Sequence, residues 1–169
     1  MNKEADKTEF LQLVQDNKGI IFKVCNAYCQ HTHDREDLAQ EIIYNLWKSW
    51  QGFNNSYKFS TWMYRIALNV AISAYRKKNK DMPTISLDGN ETEIADKTEQ
   101  HDSTAENSEL LQQFINELNT MDRALMLLYM DGKSYAEIAD ILGITETNTA
   151  TKINRIKNSL KQKVSGLKK

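Results

Sequence analysis

Ser134-Tyr135-Ala136-Glu137-Ile138-Ala139-Asp140-Ile141-Leu142-Gly143 is the stretch on which the fold reading turns. Ser134 and Glu137 stand at the spacing of a capping box, in which the serine hydroxyl accepts the amide three residues on and the carboxylate accepts the serine amide. Gly143 supplies a residue able to close the helix in the left-handed conformation. A longer helix follows from near Thr145–Thr147 to about Val164, with Ile153, Ile156 and Leu160 inward. With small Ala139 where two helices can cross closely, this is the helix-turn-helix pattern. The second helix sets Thr147, Asn148, Thr151, Lys152, Asn154 and Arg155 on its polar side, residue types suited to phosphates and major-groove base edges. An αα-hairpin without a ligand is the competing reading.

Working back from that motif, Asp122 to Met130 reads as one helix and Leu110, Leu111, Phe114, Ile115 and Leu118 mark another. Upstream, residues 81–108 hold the only Pro, no aromatic and no apolar period, which predicts a flexible acidic linker. Before it, Phe10, Leu11, Val14, Ile20, Ile21, Val24 and Tyr28 form a stripe over one helix or a pair broken near Gly19. Asp34 offers an N-cap for a helix to about Trp50, with Leu38, Ile42, Ile43, Leu46, Trp47 and Trp50 on its inner side. Gln51–Lys58 is turn-rich. Ser60 caps a further helix in which Trp62, Ile66, Ala67, Val70, Ala71 and Ala74 recur at three and four, so Trp62 belongs to a core. The expected fold is all-α: two small helical domains, residues 1–80 and 109–169, joined by the linker.

Composition agrees. The 169 residues are 40% hydrophobic and 27% charged, with 6 Gly and 1 Pro, against a sandwich, barrel or Gly-loop nucleotide fold. The net charge of -1 hides segregation. Residues 1–80 carry 12 basic and 8 acidic side chains, 81–108 carry 1 and 8, and 109–169 carry 9 and 7; from Thr145 onward seven Lys/Arg face Glu146 alone. Two locally basic faces flank an acidic tether. The longest uncharged stretch, Ile66 to Tyr75, is too short to span a bilayer, and the polar N-terminus is no signal peptide, which predicts a cytoplasmic protein without membrane insertion.

Asp34-Arg35-Glu36-Asp37-Leu38-Ala39-Gln40-Glu41, followed twenty residues later by Phe59-Ser60-Thr61-Trp62-Met63-Tyr64-Arg65-Ile66-Ala67-Leu68-Asn69, closely resembles the second region of bacterial sigma factors of the extracytoplasmic-function group. Ser134–Lys163 resembles that group's fourth region. The resemblance implies an alternative-type sigma factor that binds core RNA polymerase and directs promoter recognition and melting. It places polymerase contacts at Asp34, Asp37, Leu38, Gln40 and Glu41. It makes Gln51–Lys58 the loop that captures an unstacked base of the minus-ten element, through Asn54, Asn55, Ser56, Tyr57 and Phe59, with Arg65, Asn69, Arg76 and Lys77 along the backbone. Residues Thr147–Arg155 would then meet the minus-thirty-five element. It also implies an anti-sigma partner. The chain departs from the pattern at Thr149-Ala150, where a Val-Lys pair is common, and at Leu68, where an Arg is common.

Other chemistries are weak. Gly132-Lys133-Ser134 mimics the end of a phosphate-binding loop, but the required earlier Gly is Leu127. Cys25, Cys29, His31 and His33 fit no common zinc spacing, and no catalytic constellation presents itself, so no metal, cofactor or enzymatic activity is expected. The competing functions are a helix-turn-helix regulator that binds duplex DNA without being a polymerase subunit, and a protein-interaction adaptor whose basic helices are merely solvated.

Overall fold

Asn17 is where the first apolar stripe breaks, two residues before the glycine. In the structure, a computed structural model that describes residues 3–81 and 103–167, it separates α1 (Lys3–Asp16) from α2 (Lys18–Tyr28). Its side-chain amide donates to the Leu13 carbonyl at 2.8 Å and its backbone amide reaches the Leu13 and Val14 carbonyls, groups that a helix end leaves without partners. Helix α3 (Thr32–Ser49) has His31 at its N-cap, not Asp34. Asp34 lies in the first turn, where the helix dipole favours a carboxylate, and receives a hydrogen bond from Lys78 at 2.9 Å. That bond holds its carboxyl below the ordinary range. A 3-10 turn at Trp50–Gly52 leads toward α4 (Phe59–Asp81), which starts one residue before Ser60, so the expected cap lies inside the helix.

Leu38, Ile42, Leu46 and Trp50, spaced by four, are buried in one core with Phe10, Ile21, Val24, Met63, Tyr64, Ala67 and Ala71. Ile43 and Trp47 correct the sequence reading: they are exposed, Trp47 by 43%. Each follows a core position by one residue, a rotation of about 100° that carries it out of the buried stripe. Leu11 is likewise exposed, whereas Phe10 beside it is core. Trp62 is buried, as its place on the stripe predicts.

Helix α5 (Ser103–Glu117) begins inside the stretch assigned to the linker, so residues 103–108 are helical; the remainder of the expected linker, 82–102, lies outside the described residues. Helix α6 (Thr120–Met130) is capped by Asn119, whose side chain accepts the Asp122 amide at 2.9 Å. The capping box in front of α7 (Tyr135–Leu142) is complete: Glu137 donates its amide to the Ser134 hydroxyl oxygen at 3.1 Å, and Ser134 donates its amide to the Glu137 carboxylate at 2.9 Å. A cap of this type contributes about 1 kcal/mol. Gly143 closes α7 at φ 70°, with its own amide and that of Ile144 on the Ala139 carbonyl. Such a φ strains any residue with a Cβ. Helix α8 (Glu146–Leu167) starts from Thr145, whose hydroxyl oxygen accepts the Asn148 amide at 3.0 Å. Helices α6, α7 and α8 pack on one another through Leu125, Leu128, Ile138, Ile141, Ile153 and Ile156.

The two halves also pack together, α2 against α5 and α6, and α4 against α6 and α7. Much of that joint is polar. Arg123, only 4% exposed, donates from one terminal nitrogen to the Ala27 carbonyl at 3.0 Å and from the other to the carbonyls of Asn116 and Leu118 at 2.8 and 3.2 Å. Its guanidinium lies 5.4 Å from the Tyr28 ring centre and 5.0 Å from that of Tyr75, and the Tyr28 hydroxyl donates to the Thr120 carbonyl at 2.7 Å. Asp131, at the end of α6, accepts from the Lys23 ammonium and, at 2.5 Å, from the hydroxyl of fully buried Tyr64. Burial opposes the Asp131 charge, but the Lys23 and Tyr64 hydrogen bonds outweigh it and hold the carboxyl below the ordinary range.

A carboxyl with a depressed folded pKa stabilises the fold above its unfolded pKa and loses that contribution as pH falls through the folded value. Asp131→Asn is therefore expected to cost about 1–2 kcal/mol near pH 6. The difference from the native chain should shrink as pH falls through the depressed folded value, where the native carboxyl takes up its proton. Urea unfolding over a descending pH series checks this; a pH-independent difference would show that the charge does not matter.

Candidate functional site

On α8 the residues expected to meet duplex DNA share one outward face. Thr147, Asn148, Thr151, Asn154 and Arg155 are exposed and Lys152 is half-buried, while Ile153 and Ile156 hold the opposite side in the core. The Thr151 hydroxyl donates to the Thr147 carbonyl at 3.0 Å, which leaves its oxygen as an acceptor on that face. Thr149 is fully buried and donates its hydroxyl to the Thr145 carbonyl at 2.9 Å, so at one of the positions that departs from the family pattern the side chain serves the core. The basic run is less free than its sequence suggests. Lys157 sits 4.7 Å from the Tyr129 ring centre, and Lys163 pairs with Glu117 and lies over Phe114. Lys152 and Arg155 make no ion pair among the described residues.

The loop before α4 has a fixed base and a polar tip. Phe53 stacks on Trp50 at 5.7 Å and meets Trp62 at 5.1 Å; Phe59 meets Trp62 at 5.3 Å. Among the residues expected to touch DNA, Phe59 is thus half-buried in this aromatic cluster. Asn54, Asn55, Ser56 and Tyr57 are exposed beyond it. The Asn54 side chain accepts the Ser56 amide at 3.1 Å, an Asx turn, and Asn55 takes φ 60°, a conformation Asn tolerates better than most residues. Along α4, Asn69, Arg76 and Lys77 are exposed, but Arg65 is engaged. Its guanidinium lies over the Tyr57 ring at 5.2 Å and donates to the Asp140 carbonyl of α7 at 2.7 Å. Leu68 is core.

On α3, Asp37, Gln40 and Glu41 are exposed and Asp34 is half-buried, whereas Leu38 is buried beneath them and lines the cleft that Asp34, Asp37 and Glu41 border. The sequence reading missed the apolar neighbours of these groups. Gln40, Ile43, Tyr44 and Trp47 line a shallow groove of about 360 Å³ with Lys7, Phe10 and Leu11 from α1; Tyr44 is 63% exposed, and Trp47 rests on Phe10 at 5.0 Å. A large apolar residue one step beyond each buried position was the available signal. Cys25 is buried, and burial pushes its thiol up to about 11, which makes it an inert core group.

An all-helical chain with a helix-turn-helix in one bundle, and in the other an amide-rich loop ahead of a basic helix, defines a two-domain DNA-binding protein. The family model described as Sigma-70 region 2 matches residues 13–81, and that of Sigma-70, region 4 matches residues 108–160. The ECF RNA polymerase sigma factor SigW of Bacillus subtilis is 31% identical over 175 residues, covering 98% of this chain and 94% of the relative. Two solved structures share the fold: the sigma factor RpoE in complex with the anti-sigma factor NepR from Bartonella quintana, at TM-score 0.68 and 20% identity over 94% of this chain and 96% of that one, and CnrH in complex with the cytosolic domain of CnrY, at 0.66 and 18% over 95% and 90%. The chain belongs to the sigma-70 family of RNA polymerase sigma factors, in its extracytoplasmic-function group. Among the described residues no helix is long and apolar enough to cross a membrane.

Proposed function

We propose that this chain directs core RNA polymerase to promoters through three surfaces. The α3 face, with Asp34, Asp37, Gln40 and Glu41 beside the Ile43/Tyr44/Trp47 groove, docks on the polymerase: carboxylates pair with cationic groups at the rim while the aromatic centre is desolvated. The loop Asn54–Tyr57 holds an unstacked base of the minus-ten element, and Arg65, Asn69, Arg76 and Lys77 follow its backbone. The outward face of α8 binds the minus-thirty-five duplex. The observation that carries this reading is the loop. Its tip presents amides, a hydroxyl and Tyr57 to solvent while its base is pinned in an aromatic cluster, an arrangement with no use in a plain duplex-binding regulator. The likeness to a sigma factor solved with an anti-sigma factor supports an anti-sigma partner, and the site of action is the cytoplasm.

The test adds purified chain to core polymerase on a library of promoters with pre-melted bubbles and sequences the transcript starts. Starts that cluster downstream of shared motifs support the reading. DNA footprints without polymerase, with no change in transcription, would favour a regulator instead. For the α8 face, Lys152→Ala and Arg155→Ala are each expected to weaken duplex binding by the holoenzyme and to reduce the slope of log affinity against log salt by about 1. A titration between low and moderate salt reads both, and an unchanged slope would remove these residues from the phosphate contacts.

A further inference from the structure

Both ends of the base-capturing loop rest on the Trp50 ring. Phe53, on the outgoing side, stacks on it at 5.7 Å with the planes 21° apart, while Phe59 and Trp62, on the returning side, meet it edge-on at 6.3 and 6.2 Å. The Phe53 amide also donates to the Trp50 carbonyl at 3.1 Å, which closes the 3-10 turn that opens the loop. The orientation of this indole therefore sets where the loop departs and where it returns.

Ring contacts alone do not fix that orientation. The terminal torsion of an aromatic side chain is broad, and tilted and edge-on packings differ little in energy. The indole has a single polar handle, its N–H, and at 8% exposure that group needs a partner. The partner comes from outside the loop and outside the two helices that flank it. Asp6 of α1 accepts the Trp50 Nε1–H at 2.8 Å. A carboxylate acceptor makes the bond charge-assisted, and turning the ring over would bury the N–H without it. Phe10, four residues further on and so on the same face of α1, is buried and packs on Trp50 at 5.4 Å, which anchors the helix beside the bond. A carboxylate in the first turn of α1 is also favoured by the helix dipole. Glu4 lies in the same turn and supplies that charge without a bond to Trp50.

We propose that Asp6 is a positioning residue for promoter melting: by holding the Trp50 indole in one orientation it fixes both ends of the loop, so that the tip Asn54–Tyr57 meets an unstacked base already shaped. This rests on the reading of that loop as the base-capture site. A preformed loop binds without first having to order itself, and that saving is what the bond supplies. Asp6 acts only through the indole and touches no nucleic acid. Helix α1 thereby serves melting as well as lining the groove beside Trp47.

The experiment compares holoenzymes carrying the native chain, Asp6→Ala, Asp6→Asn, Trp50→Phe, the double variant Asp6→Ala/Trp50→Phe and, as a control for the helix start, Glu4→Ala. Co-purification reads assembly, permanganate reactivity of a duplex promoter reads melting, and transcription from a pre-melted bubble reads what remains when melting is not required. Asp6→Ala should lower open-complex formation by about ten-fold at native assembly, the loss expected for one hydrogen bond to a charged group. The bubble should restore most of it. Asp6→Asn keeps an acceptor oxygen and should retain most of the native activity. Trp50→Phe keeps a ring without the N–H and should match Asp6→Ala, and the double variant should be no worse than either single one, because both remove the same bond. Glu4→Ala should melt promoter as the native chain does. Native melting by Asp6→Ala, or no rescue by Asp6→Asn, would overturn the proposal. Additive losses in the double variant would show that Asp6 does not act through the indole, and equal losses on bubble and duplex would make it a general stabiliser of the fold. Failure of the base-capture reading looks different: replacement of Asn54–Tyr57 itself would then leave melting native. A defective loop replacement beside native melting by Asp6→Ala overturns the positioning role alone.

Discussion

A Trp47→Glu chain is expected to lose affinity for core RNA polymerase by about 100-fold or more while keeping its helix content. Trp47 and Tyr44 are large, exposed and adjacent to Gln40, in a groove with apolar walls from two helices. Burying an aromatic anchor of this kind at the centre of an interface carries about 2–4 kcal/mol, and a carboxylate in its place must be desolvated without a partner. Because Trp47 also rests on Phe10, the substitution removes a contact within the fold as well. Tyr44→Glu separates the two, since Tyr44 is the more exposed and should impair docking without a change in unfolding temperature. Asp37→Arg should weaken docking through the rim instead, and its defect should fall as salt is raised, whereas that of Trp47→Glu should not. Co-purification of core polymerase with the tagged variants reads all three. Native retention by both Trp47→Glu and Tyr44→Glu would remove the groove from the interface.

That groove also shows where sequence reasoning runs out. The helix-turn-helix was legible because its determinants are local: Ser134 and Glu137 are three residues apart, and Gly143 closes the same helix. The aromatic base of the loop was legible in Trp62, which sits on a helical stripe. Ile43 and Trp47 were not, because apolar character alone does not tell a core stripe from an exposed face one residue further around the helix. Leu38 is the opposite case. It lies inside the motif that implies polymerase contact, yet four-residue spacing with Ile42 and Leu46 puts it in the core. Asp34 and Ser60 are good capping types, but both helices start earlier: the carbonyls of His31 and Lys58 already accept the first helical amides, those of Arg35 and Trp62, so Asp34 and Ser60 fall in the first turn. Arg123 was the least legible. An arginine on a short helix reads as surface, and its burial depends on Ala27, 96 residues away in sequence. Contacts of that range belong to the assembled fold, and they include every tie that links the two bundles.

Replacing Asn54–Tyr57 by Gly-Ser-Gly-Ser is expected to reduce open-complex formation by about 100-fold at native holoenzyme assembly. The substitution leaves the base of the loop intact, because Phe53, Phe59, Trp50 and Trp62 lie outside it and keep their mutual packing. It removes the Asx turn of Asn54 onto Ser56, the left-handed Asn55 that shapes the tip, and the Tyr57 ring. Each base held out of the stack is worth about 1–3 kcal/mol where an aromatic ring or a set of amides receives it. Loss of a single capture site therefore shifts the equilibrium between closed and melted duplex by about ten- to a hundred-fold. The defect should lie in melting and not in recruitment. Permanganate reactivity of thymines in the minus-ten region should fall, whereas protection of the upstream duplex, which depends on α8, should remain. Supplying the template with a pre-melted bubble should restore transcription in part, since strand separation is then no longer required of the loop. Normal permanganate reactivity in the loop variant would show that base capture resides elsewhere on α4. An equal loss on bubble and duplex templates would place the loop in polymerase assembly instead. Because Arg65 lies over Tyr57, the same replacement also frees the guanidinium on that side. A gain in polymerase-free binding to single strands, alongside the loss of melting, would separate the loop's role in base capture from its cover by Arg65.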